Sequence, residues 1–101
     1  MTRSTSYNQK LIKQLKDPVE AAAYLNAVLS EGDPKLFLKA LGKVAEASGG
    51  ITLLAAKTKV SRVGLYKAFS EQGNPEFKTI ENILNAFRLR LQVTPRRATA
   101  H

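Results

Sequence analysis

The sequence predicts an all-α protein, a single five-helix domain containing a helix-turn-helix, with a short N-terminal helix or arm. Three observations predict it. Between Ile51 and Phe69, ITLLAAKTKVSRVGLYKAF, two short amphipathic patterns meet at a turn only about three residues long. Elsewhere apolar residues recur at helical spacing, punctuated by Asp-Pro pairs and glycines. No strand-period segment competes. The chain then divides into residues 1–16, an N-terminal arm or short helix; 17–93, the helix-turn-helix domain; and 94–101, a flexible tail.

Residues 1–16 are polar and basic, with Leu11, Ile12 and Leu15 at i, i+1 and i+4, enough for a short docking helix. Asp17-Pro18-Val19-Glu20 then signals a helix start. Asp caps, Pro suits the first helical position, and Glu at the third position can reach back to the cap. Ala21, Tyr24, Leu25 and Val28 give the buried stripe, and Gly32 ends the helix in a left-handed conformation. Asp33-Pro34 repeats the grammar, with Phe37, Ala40, Leu41, Val44 and Ala45 as the inner face and Gly49-Gly50 as the stop. Tyr24 and Phe37, on these apolar stripes, are expected in the core. Tyr7, near the chain start, is either a docking anchor or simply exposed.

In the helix pair, Thr52 is placed as the cap of a first helix running through Leu53, Leu54, Ala55, Ala56 and Lys57. Thr58-Lys59-Val60 form the turn, and Ser61 caps the second helix, its hydroxyl accepting from an otherwise unpaired backbone N–H. On that second helix Leu65, Ala68 and Phe69 share the inner face. Val63, Tyr66, Lys67 and Ser70 form the opposite one and Arg62 sits in the first turn, a group fitted to phosphates and base edges in a DNA major groove. Arg62, Val63, Tyr66 and Lys67 are the expected groove residues, with Ser61 and Ser70 near the DNA backbone. An ordinary helical corner with a solvated basic face would carry the same pattern. Gly64, inside this helix, either lets the backbone approach DNA or is a poor helix former that packing tolerates. Gly73-Asn74-Pro75 is a tight turn, and Thr79 is placed as the cap of a last helix whose inner face is Ile80, Ile83, Leu84, Phe87 and Leu91.

Charge sharpens the functional reading. The 101 residues carry a formal net charge of +8, and the pI is near 10.1. A polyanionic partner follows, nucleic acid before an anionic membrane surface. The excess is uneven: residues 51–101 hold nine Lys/Arg against three Glu, while residues 1–50 hold seven against five carboxylates. The basic half is the one with the helix pair. Cysteine is absent, so there is no disulfide framework and no thiolate metal site. No apolar run approaches the roughly 18 residues of a spanning helix, and MTRSTSYNQK contains no hydrophobic signal segment. The expectation is a cytoplasmic protein that does not enter membranes.

Catalysis finds little support in these residues. The one histidine, His101, ends the chain, where an expression remnant or solvated tail explains it better than a general base. Asp17, Asp33, Glu20 and Glu81 lie at helix starts, where the macrodipole accounts for them. No phosphate-cradling glycine loop and no metal constellation can be assembled. The reading is a non-enzyme without cofactor or metal.

The segments LKDPVEAAAYLNAVLSEGDPKLFLKALGKVAEASGG, then LLAAKTKVSR, then LYKAFSEQGNPEFKTIENILNAF carry a resemblance over about residues 15–93. In that order, YLN, EGDP, SR, LYKA and GNPEF resemble the addiction-module antidote proteins, antitoxins with a helix-turn-helix of the phage-repressor type. The resemblance implies a dimer that binds double-stranded operator DNA and represses its own operon. It also implies a partner, a small toxin, usually an RNA-cleaving protein of the RelE/ParE superfamily. A stand-alone repressor without a toxin, and an interaction domain that uses its charge for solubility or an acidic protein, are the alternatives.

Two residues depart from the family pattern. Lys59 stands in the turn where glycine is usual, and a left-handed residue with a β-carbon costs about 1 kcal/mol. Arg88 stands where glycine usually follows the last helix, which predicts that this helix runs on to about Leu91 instead of turning back near Phe87. Leu89, Leu91 and Val93 are candidates for the dimer surface. Residues 1 to about 31 are the candidate toxin contact, through Leu11, Ile12 and Leu15 beside Lys10, Lys13 and Lys16, unless those apolar residues cover the chain's own core.

Overall fold

Two aspartates start two helices in the same way. The Asp17 carboxylate accepts from Val19 N–H at 2.9 Å and the Asp33 carboxylate from Lys35 N–H at 3.0 Å, each with proline in the first turn. They open α2 (Pro18–Leu29) and α3 (Pro34–Ala47) in a computed structural model that describes residues 3–96. Around these lie α1 (Arg3–Gln14), α4 (Gly50–Thr58), α5 (Arg62–Ala68) and α6 (Phe77–Ala86), and the described residues contain no strand. The all-α expectation holds, with six helices in place of five. The sixth is the N-terminal segment, whose standing between arm and helix is settled as helix from Arg3 to Gln14. His101 and the end of the expected tail lie outside the described residues.

Helix α3 is the hub. It packs on α1, α2 and α4, while α4 in turn packs on α5 and α6. Its Ala40, Leu41, Val44 and Ala45 are buried as the periodicity requires, and so is Leu38, which the stripe did not include. Leu41, Leu65, Ile83, Val44 and Leu15 are the largest side chains sealed from solvent. Tyr24 and Phe37 pack against this cluster while only half-buried, and Tyr7 is 68% exposed. Burial, and after it the neighbouring Tyr7, raises the Tyr24 phenol above its ordinary pKa, so it stays neutral through the physiological range.

The N-terminal segment joins the core. Leu15 is buried, Leu11 and Ile12 pack beside it, and Lys43 of α3 donates to the Asn8 side-chain oxygen at 2.7 Å. Of the two readings of this apolar trio, cover for the chain's own core is the one its burial supports.

Several helix ends fall elsewhere than the sequence suggested. Glu20 does not return to its cap; its carboxylate accepts from the Gln14 amide at 2.8 Å, bracing α1 against α2. Thr52 does not cap α4, which begins two residues earlier behind Gly49, at φ 107°. A left-handed glycine lets the chain turn directly into the helix, so no side-chain cap is needed there. Thr79 lies inside the first turn of α6, which starts at Phe77 behind Glu76.

The last helix stops at Ala86, with Phe87 as its cap residue, and does not continue to Leu91. Arg88 adopts φ 66°, taking the left-handed position itself. Its N–H donates to the Asn85 carbonyl at 2.9 Å and Leu89 N–H donates to the Leu84 carbonyl at 2.8 Å, the paired bonds of a Schellman ending. These two bonds and the packing of Leu89 on the core offset the left-handed cost that the β-carbon of Arg88 incurs. Leu91 consequently leaves the inner face and is 39% exposed. Arg88→Gly should raise stability by about 0.5–1 kcal/mol, the strain relieved less the extra freedom of the unfolded chain. A thermal melt reads this as a Tm several degrees higher, and a Tm at or below that of the parent would show that Arg88 is not strained.

Candidate nucleic-acid interface

The turn between α4 and α5 is held by two hydroxyls. Thr58 Oγ1 donates to the Leu54 carbonyl at 2.8 Å and accepts from Val60 N–H at 3.2 Å, closing α4. Lys59 takes the left-handed conformation at φ 62°, as the departure from glycine predicted, with its N–H on the Ala55 carbonyl at 2.9 Å. Ser61, in extended conformation, accepts from Gly64 N–H at 2.9 Å and so caps α5. The turn therefore occupies Lys59 to Ser61, and its geometry fixes the direction in which α5 leaves.

One face of α5 is sealed and the other is open. Leu65 and Ala68 are buried and Phe69 packs beside Gly42 of α3. Arg62, Val63, Tyr66 and Lys67 are exposed, with Val63 at 77% and Tyr66 at 59%. These four share one short helix behind an exposed Ser61. Ser70 is half-buried, and its hydroxyl donates to the Lys67 carbonyl at 2.7 Å, leaving its lone pairs as the free polar function. An exposed valine and tyrosine between two cations can make apolar contact with base edges while the cations meet phosphate or guanine.

Gly64 does not lie on the open face. A β-carbon there would come within 3.1 Å of Ser61 Oγ and 3.2 Å of Val60 Cγ1, so the space it leaves is filled by the turn and its cap. The close approach it permits is between α5 and the chain's own turn.

Lys57 and Lys59 belong beside the six residues named from the sequence. Both are exposed, Lys57 in the last turn of α4 and Lys59 at the start of the turn that leads into α5. Their signal was the absence of carboxylates: from Ala47 to Ser70 the chain carries Lys57, Lys59, Arg62 and Lys67 and no Asp or Glu. Such a stretch concentrates positive charge around the helix pair, the kind of charge that attracts a phosphate backbone before any base is read.

A family model described as "probable addiction module antidote protein" matches residues 6–95. The chain belongs to that family. It is also 40% identical over 81 residues to an uncharacterised protein of Haemophilus influenzae strain Rd, a match covering 80% of this chain and 82% of the relative. No solved structure matches it. The family span takes in α2 to α6 and most of α1, so it holds the whole helix pair and the greater part of the N-terminal helix. Among the described residues no helix is long and apolar enough to cross a membrane.

Proposed function

We propose that this member of the antidote family is a non-enzymatic, cytoplasmic antitoxin that acts as a homodimer. In this reading α4 and α5 form a helix-turn-helix, α5 enters the major groove of operator DNA, and the protein represses its own operon while neutralising a cognate toxin, a small RelE/ParE-like protein. The observation that carries the DNA part is the division of α5 into a sealed face, Leu65 and Ala68, and an open one of Arg62, Val63, Tyr66 and Lys67 in a stretch without carboxylates. A short helix braced from behind and offering hydrogen-bonding, cationic and small apolar groups outward has the chemistry of a recognition helix. Family membership carries the antitoxin part, since an antidote requires something to neutralise.

The roles divide by chemistry. Arg62, in the first turn of α5, is the candidate for a bidentate contact to guanine, and Val63 and Tyr66 for contact with thymine methyl groups. Lys57, Lys59 and Lys67 meet phosphates, with Ser61 and Ser70 near the backbone; such contacts fix the register and carry no sequence information.

Arg62→Ala should cost about 1–3 kcal/mol against the operator, on the order of ten- to a hundred-fold in Kd, and much less against random DNA. Lys59→Ala should weaken both by similar factors and flatten the salt dependence by about one ion. Equal losses on operator and random DNA for Arg62→Ala would remove its base-reading role. Unchanged binding by both variants would remove α5 and its turn from the DNA surface. The toxin part is tested by co-purification of the chain with the product of a neighbouring reading frame.

A further inference from the structure

Residues Leu89 to Thr94, LRLQVT, alternate apolar and polar side chains, the period of a half-buried strand. The left-handed turn at Arg88 frees them from α6, and no backbone hydrogen bond joins residues 90–96 to the rest of the described chain. Leu89 anchors one end by packing on the core. Leu91 lines, with Leu89 and Arg90, a groove whose far wall is Ala22, Leu25, Asn26 and Leu29 of α2. Val93 is 96% exposed, and Leu29, on the groove wall, is 44% exposed. Alternation of apolar and polar residues with an unpaired backbone, beside a groove part-lined by leucines, is the form of a strand that lacks its neighbour.

We infer that this segment pairs with the same segment of a second copy, as a two-stranded antiparallel ribbon whose two-fold axis passes through Leu91. The occupant follows from self-complementarity, because a two-fold contact sets each residue against a fixed partner in an identical sequence. With the axis at Leu91, Leu91 meets Leu91, Leu89 meets Val93 and Arg90 meets Gln92. Every apolar residue then lies on one face and no cation opposes a cation. Moving the axis to Arg90 opposes two arginines, which destabilises a cross-strand pair. A shift of the register by one residue sets Arg90 against Leu91 and splits the apolar face. An axis at Gln92 sets Leu89 against Pro95, which has no N–H for the ladder. In the Leu91 register the partner's Val93 reaches Leu89 and the groove beside it, covering the two most exposed apolar residues of the segment. The inference rests on the dimer reading above and specifies its interface.

The chain has no cysteine, so single cysteines report the register directly. Opposed Cα atoms in an antiparallel pair are about 4.5–5.5 Å apart, within disulfide reach. Leu91→Cys should therefore form a disulfide-linked dimer rapidly under mild oxidation. Val93→Cys should not link to itself, since the two copies of residue 93 are offset by four positions, about 13 Å along the strands. A mixture of Leu89→Cys and Val93→Cys chains should give the mixed disulfide. Self-linking by Val93→Cys as fast as by Leu91→Cys, or no mixed disulfide, overturns the register. Sedimentation of the parent chain separates the two levels: a dimer mass with no Leu91→Cys link leaves the dimer and removes this interface, whereas a single-chain mass at concentrations that saturate operator DNA removes the dimer reading itself.

Discussion

Replacing Leu15 with alanine is expected to lower the unfolding free energy by about 3 kcal/mol, because Leu15 is one of the largest side chains sealed from solvent and its removal loses transfer free energy and leaves a cavity. That is a large part of the roughly 5–15 kcal/mol available to a domain of this size. Urea denaturation reads the change as an earlier midpoint at unchanged slope. Lys13→Ala, at an exposed position in α1 two residues before it, should move stability by no more than about 0.5 kcal/mol and serves as the control. The consequence reaches function. If residues 1–15 were a detachable arm, their deletion would leave operator binding intact and weaken only the toxin contact. With Leu15 in the core and Lys43 bonded to Asn8, deletion should instead destabilise the whole fold and reduce both activities together. A truncated protein as stable as the parent would restore the arm. The toxin contact is then to be sought on exposed parts of α1 to α3, such as the groove of Tyr24, Val28, Leu36 and Lys39.

Local signals were legible wherever one residue type has one dominant use. Asp followed by Pro gave both the cap and the first turn of α2 and α3, and Ser61 was legible as a cap because it follows a turn and precedes an apolar repeat. The open face of α5 was legible for the same reason: when Leu65 and Ala68 are inward, a period of 3.6 leaves Val63, Tyr66 and Lys67 outward.

Competition between equally good signals was not legible. Thr52 and Thr79 have the right side chain for a cap, yet Gly49 and Glu76 lie at the helix starts, decided by where the preceding turns deliver the chain. Glu20 can reach either its own cap or Gln14, and the placement of α1 decides. Arg88 shows the general case. Composition registers only the missing glycine, while the bonds from Arg88 and Leu89 back to α6, which hold the left-handed turn, depend on Leu89 finding the core. Lys57 and Lys59 escaped because the direction of a side chain around a turn depends on backbone angles that no periodicity supplies.

Gly73→Ala is expected to destabilise the protein by about 1–3 kcal/mol, the opposite sign from most glycine-to-alanine changes at permissive positions. The sequence offers Gly73-Asn74-Pro75 as a turn in which glycine would serve its conformational freedom. The reason lies elsewhere, since Gly73 is not among the glycines with positive φ. Its N–H donates to the Ser70 carbonyl at 2.9 Å, folding the chain tightly under the end of α5, and a β-carbon there would collide with the main chain of Lys67 and Ala68. Backbone atoms cannot rotate aside as a side-chain tip can, so either the turn opens or the end of α5 shifts. Both outcomes disturb α5 without removing any of its exposed groups. Operator affinity should therefore fall in Gly73→Ala even under conditions where the protein remains folded, because in the proposed complex Lys67, at the displaced end, no longer reaches the DNA backbone. Gly42→Ala supplies the comparison: its β-carbon would meet Phe69 at an ordinary 3.5 Å, and helix propensity favours alanine. A Gly73→Ala protein that melts with the parent and binds operator normally would show that the chain passes more loosely beneath α5 than this packing requires.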